Sequence, residues 1–373
     1  MTSSGQSAEK GPVGIGFIGA GVISDTYLEN LNTFPDTNVV AIGDLFPDAA
    51  KAKAEKHGIA VSGAPDVVLD NPDVELVVNL TIPAAHAEVA LQAIDAGKHV
   101  WNEKPLALDR VSAKALLDRA EAAGLRVGCA PDTFLGSGLQ TARGMIEAGE
   151  IGPPLTALVL MQSPGPESWH PNPAFLFQEG AGPLFDIGPY YLTALVQVFG
   201  PIASVAAIGS KSRETRVIGS GPKAGEEFAV TVPSHVSASA RFESGQSATL
   251  IFSFDSPRRR TLLEVTGTDA TMVLPDPNMF DGEIALQRRD DQEPAVAATT
   301  TLLSSRGTGV LDMARAIREG RPHRAQGALA YHVLDAMISI DEAITSGAYV
   351  DVESTVEVPA PLPADWNPKA ATL

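Results

Sequence analysis

Three side chains form a set able to move a proton at a carbon-bound oxygen. Lys104 lies in Asn102-Glu103-Lys104-Pro105, directly after the short run Lys98–Trp101. Asp186 and Tyr190 lie in Gly180-Ala181-Gly182-Pro183-Leu184-Phe185-Asp186-Ile187-Gly188-Pro189-Tyr190-Tyr191, a glycine-rich loop running into the apolar stretch Leu192–Phe199. Four residues apart on a helical turn, the acid and the phenol share one face. Together they can bind a diol and exchange a proton. An ammonium can stabilise a developing alkoxide or act in proton transfer. Pro105 fixes its own φ and restricts Lys104, which holds the loop stiffly. A Lys-Pro in a loop is by itself more often a solvated turn, so its meaning depends on its company.

A second set could hold a phosphate. Val13-Gly14-Ile15-Gly16-Phe17-Ile18-Gly19-Ala20-Gly21-Val22-Ile23-Ser24 places a Gly-x-Gly turn between a strand and a helix. One glycine allows the tight turn and the next lets the backbone approach a pyrophosphate. That group then sits at the positive end of the helix, where free N–H groups point outward. Gly19, Gly21, Val22 and Ile23 are the candidate contacts, and the third position of the pattern is Ser24, small enough for close helix–strand packing. Asp44 ends the next strand, Ala41-Ile42-Gly43-Asp44, 25 residues after Gly19. An acid there accepts hydrogen bonds from ribose hydroxyls, although the usual spacing is about 20 residues. Leu45 and Phe46 follow, with no Arg or Lys to meet a 2′-phosphate, which favours NAD over NADP. The plainer reading of Asp44 is a turn residue before Pro47.

These residues need elements that gather strand ends. Strands are expected at Val13–Ile18, Asn38–Gly43, Glu75–Leu80, Lys98–Trp101 and Arg126–Cys129. Amphipathic helices alternate with them at Val22–Leu31, Asp48–His57, Ala84–Ala96 and Asp109–Ala123. That alternation means parallel strands joined by crossover helices, in a first domain over residues 12–133. The texture changes in a second domain over 134–373. A helix is expected at Gly138–Ala148, and Pro and Gly crowd residues 163–189. Short β-branched runs then alternate from about 202 to 287, as in His235–Phe242, which reads as an antiparallel sheet with one face buried. Helices Val310–Glu319 and Ala328–Ser346 follow, and a Pro/Ala-rich tail after Val358 is expected to wrap the surface. The fold class is α/β.

The turn Gly19-Ala20-Gly21, the triplet Glu103-Lys104-Pro105 and the element Asp186-x-x-x-Tyr190, in this order, resemble the glucose–fructose oxidoreductase/inositol dehydrogenase/rhizopine catabolism (Gfo/Idh/MocA) oxidoreductase family, from about Val13 to Gly347. The resemblance implies a Rossmann domain followed by an α/β domain with a large open sheet. It also implies NAD(P)-dependent hydride exchange with sugars, inositols or related alcohols and ketones. Position by position, Lys104 matches the family's catalytic lysine and Asp186 its active-site aspartate. Many members carry His where this chain has Tyr190, while some carbohydrate-active and dihydrodiol-oxidising relatives carry Tyr. The proton is therefore shared between Lys104 and Tyr190, whose pKa, ordinarily near 10, the Lys104 cation is expected to draw down. Thr81, Pro83 and His86 match the loop lying along the dinucleotide, with Glu103 beside them. Two other readings compete: action on a non-sugar ketone or cyclic diol, and a non-catalytic dinucleotide-binding sensor. Intact Lys104, Asp186 and Tyr190 argue against the sensor.

Further candidates lie in loops. Trp169 and His170, in Glu167-Ser168-Trp169-His170-Pro171, suit stacking on a sugar ring and donating to its hydroxyls. Asp132 follows the last strand of the first domain and is expected to border the substrate. Arg306 could reach the site or a subunit contact, and His332 reads as a helix-surface histidine. Composition narrows the partners. The 373 residues are 44% hydrophobic and 19% charged, a globular composition with room for two domains. A net charge of −18 argues against nucleic acid and anionic membranes. The single cysteine, Cys129, builds neither an internal disulfide nor a thiolate cluster. The seven histidines show no His-x-x-x-His spacing, so no metal is expected. The polar start Met1–Gly11 has no apolar signal region, and no stretch approaches the roughly 18 apolar residues of a span, which makes the cytoplasm the expected compartment. Ile251, Phe252 and Phe254 are expected on an uncovered sheet face, buried by a second copy in a homodimer or homotetramer.

Overall fold

The structure, a computed structural model, describes residues 11–299 and 303–373; the polar start of the chain before Gly11 lies outside them. Strand β1 (Val13–Ile18) is buried along its whole length, as a strand with helices on both faces must be. Around it lie β2 (Thr37–Gly43), β3 (Val61–Gly63), β4 (Leu76–Asn79), β5 (His99–Asn102) and β6 (Val127–Cys129), all parallel, in the order β3-β2-β1-β4-β5-β6. The helices between them are α1 (Val22–Leu31), α2 (Pro47–His57), α3 (Asp66–Leu69), α4 (His86–Asp95) and α5 (Arg110–Ala122). Local chemistry sets their ends: Pro47 opens α2, and Gly58 in the left-handed region closes it. The Asp109 carboxylate accepts from the Ser112 N–H to open α5. The chain order reverses between β1 and β4, so their C-terminal ends leave a crevice. Strand β3 and helix α3 were not expected from the sequence. Three edge residues with no buried side chain carry no periodic signal.

After α6 (Ser137–Glu147) come β7 (Pro154–Gln162), α7 (Gly182–Phe199) and β8 (Ile202–Ser210). The chain continues through β9 (Thr215–Val217), β10 (Glu227–Ala229), β11 (His235–Phe242), β12 (Ser247–Ser253), β13 (Arg260–Gly267), β14 (Ala270–Leu274), β15 (Ile284–Arg288) and β16 (Ala295–Ala297). It closes with α8 (Thr308–Glu319), α9 (Gly327–Ser346) and β17 (Val350–Asp351). Strands β9 and β10 pair with each other, and the rest form a nine-stranded sheet, β16-β15-β14-β13-β7-β12-β11-β8-β17. Only β7 and β12 run parallel within it, so the second sheet is mostly antiparallel, as expected. Its central strand β7 lies upstream of the region where strands were expected. The prolines at its start masked an alternation that buries Ala157, Val159 and Met161.

Several expectations fail in this half. Helix α7 begins at Gly182 rather than Leu192. Pro183 is acceptable in a first turn, while Pro189, inside the helix, leaves the Phe185 carbonyl without its usual donor. Gly and Pro made this stretch read as a loop. Phe252 and Phe254 are buried on the helix-covered face, not the open one; Phe252 meets the Tyr191 ring of α7 edge-on at 5.8 Å. Strand alternation requires this, because Ile251 and Phe252 are neighbours and point to opposite faces. The open face carries Ile251, Leu160 and Leu262, partnered across three adjacent strands and each half-buried.

Helix α8 returns to the first sheet, where Gly309 approaches Trp101 so closely that an added Cβ would lie 2.1 Å from the indole. The tail follows: the Arg315 guanidinium lies 4.6 Å from the Trp366 ring centre, and the Thr372 and Leu373 N–H groups donate to Asp36. His332, read as a surface residue, is buried, its Nε2 accepting from the Ile202 N–H. Among the described residues no helix is long and apolar enough to cross a membrane.

Candidate active site

The ends of β4 and β5, the first turns of α7, the start of α1 and the loop over residues 163–181 enclose a cleft of about 580 Å³. Of the residues singled out in the sequence, Ile23, Thr81, Pro83, His86, Glu103, Lys104, Trp169, His170, Asp186 and Tyr190 line it. Gly19, Gly21, Val22 and Asp44 do not line that cleft; they flank it beside Ile23.

Lys104 enters from the end of β5. Its Nζ donates to Asp186 Oδ1 at 2.8 Å and to the Asp186 carbonyl at 2.7 Å, and sits 5.4 Å from the centre of the Tyr190 ring. Burial pulls the ammonium pKa down. The Asp186 charge, its hydrogen bond and the Glu103 charge outweigh it and hold the pKa above the ordinary lysine range. Tyr190 departs from expectation. Burial raises its phenol more than Lys104 lowers it, so the hydroxyl stays neutral.

The loops around Lys104 are braced from behind. Glu103 Oε1 accepts from the Tyr27 hydroxyl at 2.9 Å, and Oε2 accepts from the Lys104 N–H at 3.0 Å. The Asn79 amide donates to Asn102 Oδ1 at 2.9 Å and to the His86 carbonyl at 3.0 Å, while its Oδ1 accepts from the Thr81 hydroxyl at 2.7 Å. His86 is buried in the wall, with Nδ1 2.7 Å from the Pro105 carbonyl and Nε2 3.0 Å from the Thr81 carbonyl. Burial holds its pKa below the ordinary histidine range, so it is neutral near pH 7 and donates to one carbonyl at a time. Sequence reasoning missed Tyr27, Asn79 and Asn102. The available signal was an Asn closing each of two adjacent parallel strands.

Asp132 does not border the cleft. Fully buried, its Oδ2 accepts from the Gly307 and Gly309 N–H groups at 2.8 and 3.1 Å, and its Oδ1 from Arg306 at 3.2 Å. It anchors the start of α8, and Arg306 lines the cleft in its place. The loop over residues 163–181 contributes an aromatic surface. The His170 ring stands edge-on between Trp169 and Phe175, 5.5 Å from each. The Asn172 N–H donates to His170 Nδ1 at 3.1 Å, so in the neutral ring Nε2 carries the proton. Arg216 pins this loop through the Pro164 carbonyl, Glu167 and Asp255.

The glycine turn suits a dinucleotide. Gly19 has φ +108°, and an added Cβ would lie 2.6 Å from the Leu80 carbonyl oxygen. Gly21 caps α1 without a side-chain hydrogen bond and has open space where a Cβ would stand. With the Ser24 N–H turned to the Gly21 carbonyl, the N–H groups before it at the helix start are the ones placed for an anion. Ser24 is buried, its hydroxyl donating to the Gly21 carbonyl at 2.6 Å, which explains why Ser serves at that position. Asp44 Oδ2 accepts from the Ala20 N–H at 2.7 Å and Oδ1 from the Phe46 N–H at 2.8 Å. The acid is thereby fixed beside the turn, with Leu45 and Phe46 exposed next to it. Among the described residues no group of three or more His, Cys, Asp or Glu side chains is placed to hold a metal ion.

Two models of one family match the chain. Residues 13–130 match the oxidoreductase family NAD-binding Rossmann fold, and residues 139–273 match the GFO/IDH/MocA C-terminal domain. Inositol 2-dehydrogenase of Salmonella typhimurium is 32% identical over 144 residues, 38% of this chain and 43% of that protein. The match thus spans less than half the length of that relative. Trans-1,2-dihydrobenzene-1,2-diol dehydrogenase of Bos taurus is 25% identical over 308 residues, 82% of this chain and 87% of that protein. Among solved structures, levoglucosan dehydrogenase in complex with NADH and L-sorbose superposes with a TM-score of 0.80 at 22% identity, over 92% of this chain and 99% of that one. An NAD-binding oxidoreductase from Klebsiella pneumoniae gives 0.81 at 22% identity, over 91% and 99%. These likenesses show a shared fold.

Proposed function

The chain belongs to the GFO/IDH/MocA oxidoreductase family, and from that premise we propose that it is an NAD-dependent dehydrogenase or reductase of a sugar, inositol or related polyol or keto-sugar. The observation that carries this reading is the Lys104–Asp186 pair under Tyr190, set in one cleft with the start of α1.

The nicotinamide, when bound, supplies the hydride chemistry. The uncapped α1 N-terminus and the Gly19–Gly21 turn would hold the pyrophosphate, and Asp44 the adenosine ribose. Thr81 and Pro83 would lie along the dinucleotide, with His86 fixing their loop. Lys104, kept charged, meets the substrate oxygen as a donor and stabilises negative charge forming there. Asp186 aims Lys104 and accepts from a neighbouring hydroxyl. Tyr190, a neutral phenol, donates to the same oxygen or its neighbour. Trp169 offers a face to the C–H side of a ring, and His170 Nε2 donates to a ring hydroxyl. Asp44 would repel a 2′-phosphate, and Leu45 and Phe46 offer it no cation, which supports NAD over NADP. A second reading, a cyclic diol with an apolar face, is favoured by the exposed Trp169 and Phe175 rings and by the long match to the dihydrodiol enzyme.

Nicotinamide fluorescence should report tighter binding of NADH than of NADPH; the reverse order counts against the Asp44 assignment. Cyclitols, aldoses, anhydrosugars and dihydrodiols, screened by absorbance of the reduced nicotinamide, should yield at least one substrate. Silence across the panel, with NADH bound, would favour a sensor.

A further inference from the structure

We infer that Tyr27 is a positioning residue for Lys104: its hydroxyl keeps the Glu103 carboxylate on the Lys104 backbone N–H and away from the two cations of the cleft. The inference rests on the reading of Lys104 as the working cation.

Tyr27 is fully buried on α1. Its hydroxyl donates to Glu103 Oε1 at 2.9 Å and accepts from Trp101 Nε1 at 3.2 Å, so the phenol is fixed from both sides. Glu103 Oε2 is occupied by the Lys104 N–H at 3.0 Å. Both carboxylate oxygens are therefore engaged, one by a side chain from α1 and one by the backbone of the next residue. The alternative is close at hand. The Glu103 charge acts on both Lys104 and Arg306, and both side chains line the same cleft. In a water-poor site a carboxylate pairs with a nearby cation unless its oxygens are already occupied. A Glu103 that turned to Lys104 Nζ would compete with Asp186 and draw the ammonium off its present line. Burial and the neighbouring Glu103 hold the Tyr27 phenol neutral, so it keeps the proton it donates. The brace also ties the Lys104 backbone, through Glu103, to α1, the helix proposed to hold the pyrophosphate.

Tyr27→Phe keeps the ring and its packing and removes only the hydroxyl. It should lower kcat about 10- to 100-fold, as a small misplacement of a catalytic group does. NADH affinity should stay within about twofold of wild type and KM should change less than kcat. The pH profile of kcat should move as well, because Glu103 now acts directly on Lys104. In a Glu103→Gln background, with no carboxylate to restrain, Tyr27→Phe should cost at most about threefold more. Should Tyr27→Phe fold poorly, as judged by thermal melting, Glu103→Gln alone decides. It cannot pair with a cation, so it should lose far less kcat than Lys104→Ala, and an equal loss overturns the inference. So does a folded Tyr27→Phe with unchanged kcat and pH profile, a matching loss of NADH binding, or an effect fully additive with Glu103→Gln. If Lys104→Ala itself turns over normally, the functional reading has failed; if only Tyr27→Phe does, this inference alone has failed.

Discussion

Lys104 is held by two oxygens of one residue, and this decides which substitution reads its state. Asp186→Asn keeps an acceptor but removes the charge that outweighs burial at Lys104. With burial then opposed mainly by the Glu103 charge, the ammonium pKa falls. In the reduction direction, where Lys104 must be charged, the alkaline limb of the pH–rate profile should move to lower pH, and kcat should fall by about 10². An unmoved limb would mean that Asp186 does not set the charge of Lys104. The three central residues were legible because their types and order carry meaning together. The brace was not legible, since Tyr27 and Glu103 stand 76 residues apart and nothing local announces their contact. Asp132 was misjudged for a related reason. A carboxylate in a sequence does not reveal that its oxygens are taken by backbone N–H groups 175 and 177 residues further on.

Among the elements, the strand–turn–helix at Gly19 makes the sharpest demand on the sequence. Gly19→Ala must place a Cβ against the Leu80 carbonyl at a φ that L residues rarely adopt. It should destabilise the fold by roughly 1–3 kcal/mol and weaken NADH binding at least about tenfold, since the displaced turn no longer presents the α1 N–H groups. Thermal melting and fluorescence titration measure the two effects, and wild-type values in both would show that the turn tolerates a side chain. The long buried strands and amphipathic helices of the first sheet were readable from periodicity. Two of the failures share a cause: β7 starts at Pro154 and α7 contains Gly182, Pro183 and Pro189. There, pairing within the second sheet (β7) and packing against it (α7) overrode local signals that read as loop.

At the scale of the whole molecule, the second sheet has helices on one face and the row Ile251, Leu160 and Leu262 on the other. A second copy is the expected cover. Light scattering at micromolar concentration should show a dimer or tetramer, and Leu160→Asp should shift it to monomer with the melting temperature of the protomer little changed. A wild-type monomer contradicts this. An open apolar face was foreseen, correctly for Ile251 but wrongly for Phe252 and Phe254, because neighbouring strand residues point to opposite faces. The order of strands, and the return of α8 and the tail to the first sheet, were not readable. Both depend on contacts between distant segments, such as β12 with β7 and Arg315 with Asp36.

The central claim is that Lys104 handles the substrate oxygen while the cofactor handles the hydride. It is tested most directly by comparing wild type and Lys104→Ala at the reduced-nicotinamide absorbance, on a substrate found in the screen, with NADH binding verified for both. A loss of about 10²–10⁴-fold in turnover at unchanged NADH affinity is predicted. Near-normal turnover by Lys104→Ala would contradict the account.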